Sequence, residues 1–243
     1  MLCDMEGDVS PGFNPVTVFW LNLDQQLSTV QELFELLSAE EKARTSVLHD
    51  DLIRNRAIVR LARRRQLLSE ILDVDAGDVG IHTRPNGKPF VLARDGQTLE
   101  ISSSNSRGHG VLAVTKNQSI GVDIESLTQI PDSPQFASWI SNDSELAEIR
   151  TLSPLLQRRT LLRMWTRKEA YLKATGEGLR SDLRSIEVPM SPEPTDEIFF
   201  PTPDGEGWRL IVPPSPFTDF DSAFVIGGGR ARNSDLVLTH LFV

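Results

Sequence analysis

Three carboxylates and a lysine sit at spacings suited to phosphate chemistry. Asp123 and Glu125 lie two residues apart in Ile120-Gly-Val-Asp-Ile-Glu125. On a strand, side chains alternate, so both face one way and Ile124 faces the other, into a core. Glu169 and Lys173 lie four apart in Trp165-Thr-Arg-Lys-Glu-Ala-Tyr-Leu-Lys173. On a helix, each step of four residues turns only about 40°, so Trp165, Glu169 and Lys173 share a face. A hard cation such as Mg2+ takes oxygen ligands and needs few protein carboxylates when substrate phosphates fill the remaining positions. The pattern therefore points to Asp123, Glu125 and Glu169 as metal ligands. Lys173 would contact a phosphate oxygen, and Glu169 could also accept a proton. Each pair has an ordinary reading as well: alternating acids on a solvated strand, and an i,i+4 surface ion pair.

Elements must exist to hold these residues. Val16-Thr-Val-Phe-Trp-Leu21 has the β-branched and aromatic content of a strand. A helix is expected from Leu27, and Ser38-Ala-Glu-Glu41 has the pattern of a capping box opening a second. From Leu52 to Leu72, Ile53, Ala57, Leu61, Leu68 and Leu72 recur mostly at four-residue spacing, one face of a long amphipathic helix. Arg54, Arg56, Arg60, Arg63, Arg64 and Arg65 fall in the same stretch, and most of them are expected to point away from that face. Asn86-Gly-Lys-Pro89 is a turn between short strands. Val111–Val114 and Ile120–Ile124, joined by Lys116-Asn-Gln-Ser119, suit a hairpin. Asn142-Asp-Ser-Glu145 is a weaker capping signal, and a long helix is expected from Leu155 to Lys173, stopped at Gly176. The second half thus repeats the first in outline. Eight of the fifteen prolines lie between Pro189 and Pro216, where short strands such as Trp208–Val212 and Ser222–Ile226 are expected instead of helices.

Composition narrows the class. A chain of 243 residues with 39% hydrophobic and 24% charged residues is ordinary for a globular protein. The net charge of -9 argues against a general nucleic-acid binder. The single cysteine, Cys3, excludes an internal disulfide and a cysteine metal cluster. His49, His82, His109 and His240 show no paired ligand spacing. The acidic start lacks the order of a secretion signal, and no apolar run reaches the roughly 20 residues of a membrane span. A soluble, cytosolic protein with no nucleic-acid or membrane partner is expected. Walker loops, G-x-S-x-G elbows and H-E-x-x-H zinc motifs are missing from the sequence.

Gly121-Val-Asp-Ile-Glu125 and Trp165-Thr-Arg-Lys-Glu-Ala-Tyr-Leu-Lys173, followed by Gly176-Glu-Gly-Leu179, resemble the two signatures of the long, Sfp-type 4'-phosphopantetheinyl transferases. Leu37-Ser-Ala-Glu-Glu-Lys-Ala-Arg44, the spacing of Arg56 to Arg65, and Gly87-Lys-Pro89 add to the likeness. The resemblance implies an α+β fold of two similar halves related by a pseudo-twofold, here 16–117 and 118–243; the prolines, glycines and acidic residues of 1–15 read as a disordered or loosely docked lead-in. The resemblance also implies coenzyme A in the cleft between the halves and a self-sufficient monomer. The reaction implied moves the 4'-phosphopantetheine arm from coenzyme A to a serine of an apo acyl or peptidyl carrier protein, releasing adenosine 3',5'-bisphosphate. Mg2+, or Mn2+, would sit on Asp123, Glu125 and Glu169. Glu169 and Lys173 would be catalytic, and Arg44, Arg56, Lys88, Ser104, Asn105, Lys168 and Lys173 would bind the coenzyme.

One segment departs from the family pattern. Where the family has F-N-x-S-H-S, this chain has Ile101-Ser-Ser-Ser-Asn-Ser106, with Ser102 at the asparagine and Asn105 at the histidine. Asn105 cannot carry the charge that the histidine offers the coenzyme's 3'-phosphate, so weaker discrimination against dephospho-coenzyme A is expected; His109, nearby in the same loop, is a possible substitute. The departure also motivates a second reading, a relative that binds coenzyme A or a carrier domain without transfer. A Mg2+-dependent nucleotide hydrolase would share the metal logic.

Overall fold

The computed structural model describes residues 16–178, 181–189, 198–201, 207–212, 215–227 and 238–242. The expected lead-in at 1–15 and Cys3 lie outside them. The first half runs β1 (Val16–Asn22), α1 (Leu27–Glu35), α2 (Ala39–Ser46), α3 (Asp51–Leu72), β2 (Ile81–Thr83), β3 (Pro89–Leu92), β4 (Thr98–Ser106) and β5 (His109–Lys116). The second runs β6 (Ile120–Ser126), α4 (Pro134–Ile140), α5 (Asp143–Ile149), α6 (Pro154–Thr175), β7 (Ile198–Pro201), β8 (Gly207–Ile211), β9 (Phe220–Gly227) and β10 (Leu238–Phe242). The class is α+β. One sheet has the order β10-β1-β5-β4-β3-β2 and the other β6-β9-β8-β7. The last strand, β10, pairs in parallel with β1, so the chain closes on the first sheet and the boundary expected at 118–243 is crossed by one strand.

Alternation along β1 shows how the layers form. Phe19 and Leu21 face a core with Val30, Leu33, Ile58, Leu61 and Ile101, between the first sheet and helices α1 to α3. Val16, Val18 and Trp20 face the other way, against Ile120, Val122, Ile124, Phe224 and Ile226 of the second sheet. A third core, including Met164, Ala170, Leu172, Leu210, Ala223 and Val225, joins the second sheet to α6. The order is therefore helices, sheet, sheet, helices. Because apolar burial drives this stacking, both faces of each sheet are covered, and β6 is buried almost throughout.

Local signals set the helix ends. Ser38 Oγ accepts from Glu41 N while Glu41 returns a bond to Ser38 N, a full capping box; Asn142 and Glu145 do the same for α5. Helix α6 ends at Gly176 with φ 77°, a left-handed conformation that glycine adopts without a Cβ clash.

Two expectations change. β5 and β6 do not form a hairpin: β5 pairs with β1 and β4, and β6 pairs with β9. The tight turn is instead at Arg107-Gly108, where Arg107 has φ 56° and joins β4 to β5. Two-residue periodicity fixes which face a residue takes but leaves its partner strand open. On α3 the buried set is Ile58, Val59, Leu61, Ala62, Arg65, Leu67 and Leu68. Ile53 is 57% exposed because the first turn of the helix, 51–53, extends beyond its cover. Arg65 is buried, against the expected outward direction, because Glu41 meets it.

Gly121 sets the distance between β6 and α6. A Cβ there would lie 2.0 Å from Ala170 O and 2.3 Å from Ala174 N, backbone atoms that cannot rotate aside. Gly121→Ala is expected to cost stability at or above the upper end of the about 1–3 kcal/mol of overpacking. Urea denaturation of the variant measures this.

Candidate active site

Asp123 and Glu125 lie on the β6 face that meets α6, and Glu169 and Lys173 project from the facing turns of that helix. Asp123 is 2% exposed. Its Oδ1 accepts from Lys173 Nζ at 2.7 Å and from Ser104 Oγ at 2.6 Å, and Lys173 Nζ also donates to Ser104 Oγ at 2.9 Å. Glu125 Oε2 accepts from Ser106 Oγ at 2.8 Å, and the Trp165 indole also hydrogen-bonds this carboxylate. Asp123 Oδ2 and Glu169 Oε1 are buried without a partner.

The electrostatics follow from that crowding. Burial pushes the Glu169 carboxyl up to about 7, and the negative charges of Asp123 and Glu125 push the same way against the opposing pull of Lys173. Burial and then Asp123 raise Glu125. One lysine does not offset three carboxylates, Asp123 buried and Glu125 and Glu169 half-buried, and two of their oxygens remain unsatisfied in low dielectric. These residues fit a hard divalent cation. Among the described residues, no three acidic or histidine side chains already converge on one point. The fit therefore lies in the chemistry of the donors and their unpartnered oxygens.

β4 holds the set in place. β6 is an edge strand, and serines on alternate positions of β4 cover its open side. Val122 N donates to Ser102 Oγ and Ser126 N to Ser106 Oγ, both at 3.0 Å, while Ser104 and Ser106 bond the carboxylates. Sequence reasoning placed Ser104 at the site but missed the parts played by Ser102 and Ser106. Their signal was present, serine at 102, 104 and 106 on one face of a strand.

A cavity of about 350 Å³ opens beside these residues. It is lined by Asn86, Lys88, Ser103, Glu169, Lys173 and Gly176, among others, from both halves of the chain. Lys88 Nζ crosses that junction to Ala174 O at 2.8 Å. Burial pushes the Lys88 ammonium down to about 8, with Glu100 opposing and Arg84 reinforcing the shift.

The other expected coenzyme contacts divide. Arg56 is held by Asp24 through bonds of 2.6 and 2.9 Å. Arg44 and Asn105 are exposed. Lys168 is a correction. It is fully buried, and its three protons go to Ile140 O (2.7 Å), Glu145 Oε2 (2.9 Å) and Leu183 O (3.0 Å). An ammonium with three donors has nothing left for a phosphate; the side chain ties α6 to the α5 cap. His109 stacks on Phe217, with ring centroids 3.8 Å apart, and burial lowers its pKa. It is poorly suited to replace a cationic histidine.

The family model of the 4'-phosphopantetheinyl transferase superfamily matches residues 119–219, which include both motifs. The chain is 32% identical over 178 residues to 4'-phosphopantetheinyl transferase HetI of Nostoc sp., covering 73% of this chain and 75% of that protein. It is 27% identical over 124 residues to 4'-phosphopantetheinyl transferase Sfp of Bacillus subtilis, covering 51% and 53%. A holo-(acyl-carrier-protein) synthase from Bacillus anthracis, solved with coenzyme A (3',5'-ADP), is 21% identical. It covers 45% of this chain and 94% of its own, with a TM-score of 0.33, too low to align the fold as a whole. The chain belongs to the 4'-phosphopantetheinyl transferase superfamily.

The Glu169 shift has a measurable sign. Its folded value of about 7 lies above the ordinary 4.5, so the folded state holds more protons between those values and loses stability as pH rises through them. In EDTA, Glu169→Gln is expected to melt above the wild type at pH 8, the difference closing as pH falls toward 4.5. Differential scanning calorimetry across that range checks it.

Proposed function

We propose that this chain transfers the 4'-phosphopantetheine arm of coenzyme A to a serine hydroxyl of an apo acyl or peptidyl carrier protein. The observation that carries the reading is the group of Asp123, Glu125, Glu169 and Lys173, of which Glu169 and Lys173 line a cavity shared by both halves, with two carboxylate oxygens buried and unpartnered. In the reaction the serine oxygen forms a bond to the phosphorus that bears the pantetheine arm. The bridging P–O bond of the pyrophosphate breaks, and adenosine 3',5'-bisphosphate leaves with the electron pair.

Glu169 accepts the serine proton. Its carboxylate lines the cavity where that hydroxyl would arrive, which is what a general base requires first. Lys173 carries fixed positive charge beside the leaving phosphate. Lys88, at the cavity wall, offers a charge-assisted contact to a coenzyme phosphate. Mg2+ or Mn2+ held by Asp123, Glu125 and Glu169 would neutralise the charge that builds on the pyrophosphate. Trp165, through its bond to Glu125, and Ser104 and Ser106, through theirs, keep the carboxylates oriented. Both sides of the cavity come from one chain, which supports a monomeric enzyme.

The test is intact-mass analysis of apo carrier proteins incubated with the enzyme, coenzyme A and Mg2+. A gain of one phosphopantetheine is expected, abolished by EDTA and by Glu169→Ala. Coenzyme A binding with no mass gain on any carrier would instead establish a binder without transferase activity.

A further inference from the structure

Glu125 is held by a hydroxyl that has one proton and three neighbours. Ser106 is 2% exposed. Its Oγ accepts from Ser126 N at 3.0 Å and donates to Glu125 Oε2 at 2.8 Å. The third neighbour is the side-chain amide of Gln129, whose Oε1 lies 2.5 Å from the same Oγ. A tight turn after β6 brings it there. Gln129 N donates to Ser126 O at 2.9 Å, and Leu127 N donates to Asp219 O at 2.8 Å, pinning the turn to the segment before β9. The chain leaving the carboxylate strand is thereby folded back, and residue 129 comes to lie beside the serine that meets Glu125.

The proton count decides how the amide must face. A hydroxyl has one proton to give and two lone pairs with which to accept. Ser126 N takes one lone pair. With the amide oxygen as third neighbour, Glu125 and Gln129 would compete for the single proton. A carboxylate acting as a metal ligand has no proton of its own to resolve that conflict. The two ends of a primary amide have nearly the same shape, and a half-turn about the last side-chain bond exchanges them. With the NH2 group toward Ser106 every place is filled. Oγ then accepts from Ser126 N and from Gln129 Nε2, and its proton goes to Glu125.

We propose that Gln129 is a positioning residue, which donates to Ser106 and so directs the serine's proton onto Glu125. The proposal rests on the reading of Glu125 as a metal ligand. Gln129 acts through the serine, and the serine fixes which way the carboxylate faces. Hydrogen-bonding groups behind a metal ligand set its orientation, and removing one typically weakens the metal by about 10–100-fold. Gln129 lies four residues beyond Glu125, outside both sequence motifs. It is otherwise exposed, so replacing it opens no hole in the core.

The test is a double-mutant cycle of Gln129→Met and Ser106→Ala, read by Mn2+ titration of EDTA-stripped protein and by melting temperature without metal. Methionine keeps the length of the side chain and removes the donor. Gln129→Met is expected to weaken Mn2+ by about 10-fold in the presence of Ser106, and to leave its affinity unchanged in the Ser106→Ala background. Such non-additivity marks residues that act through one another. Equal losses in both backgrounds, or none in either, overturn the proposal. Should Ser106→Ala not fold, Ser106→Cys, with its weakly hydrogen-bonding thiol, takes its place. If wild type binds no Mn2+, the metal-ligand reading fails and the melting temperatures decide the link. A fall on Gln129→Met that requires Ser106 sustains it; equal changes in both backgrounds, or none, overturn it.

Discussion

Everything at the site depends on three carboxylates being held on the facing sides of β6 and α6 with one lysine among them. Asp123 is buried where only Lys173 and Ser104 meet one of its oxygens. Glu169, across the gap, is raised to about 7 by burial and by Asp123. Such an arrangement opposes folding, because each carboxylate loses hydration and gains a like-charged neighbour. It persists because the packing around it is strong. Gly121 lets the helix backbone touch the strand, and the cores on either side of β6 fix both elements. On the proposed reading, that repulsion is what a bound divalent cation would relieve.

The surrounding structure works to hold that geometry. An edge strand normally exposes unpaired backbone groups. Here β6 has its open side covered by hydroxyls of β4, so the strand with the carboxylates is joined to the first sheet by side chains instead of a ladder. Ser104 and Ser106 of the same strand orient Asp123 and Glu125. On the far side Lys168, with every proton used, fastens α6 to the cap of α5. Lys88 reaches from the first half to the end of α6. The bonds from β4 and from Lys88 cross between the two halves, and residues of both halves line the cavity.

Much of this was legible in the residues. Asp123 and Glu125 two apart, and Glu169 and Lys173 four apart, predicted the faces on which they lie. The capping boxes at Ser38 and Asn142 and the glycine stop at Gly176 marked helix ends correctly, because these signals are local. What depended on distant partners was hidden. The periodicity of Val111–Val114 and Ile120–Ile124 could not show that the strands belong to different sheets. Lys168 stands beside Glu169 in the same motif, yet a rotation of about 100° per residue turns it from the cavity into the core. Gln129 carried no signal of its own; that its amide reaches Ser106 became visible only once β4 had been placed beside β6.

The central claim is that the carboxylate group is built to hold a divalent ion. Mn2+ titrated into EDTA-stripped protein, with free ion followed by electron paramagnetic resonance, tests it most directly. The account predicts a single tight site per chain that is lost in Asp123→Asn, with protons released on binding below pH 7 as Glu169 gives up its own. Absence of tight binding, or binding unchanged in Asp123→Asn, would contradict it.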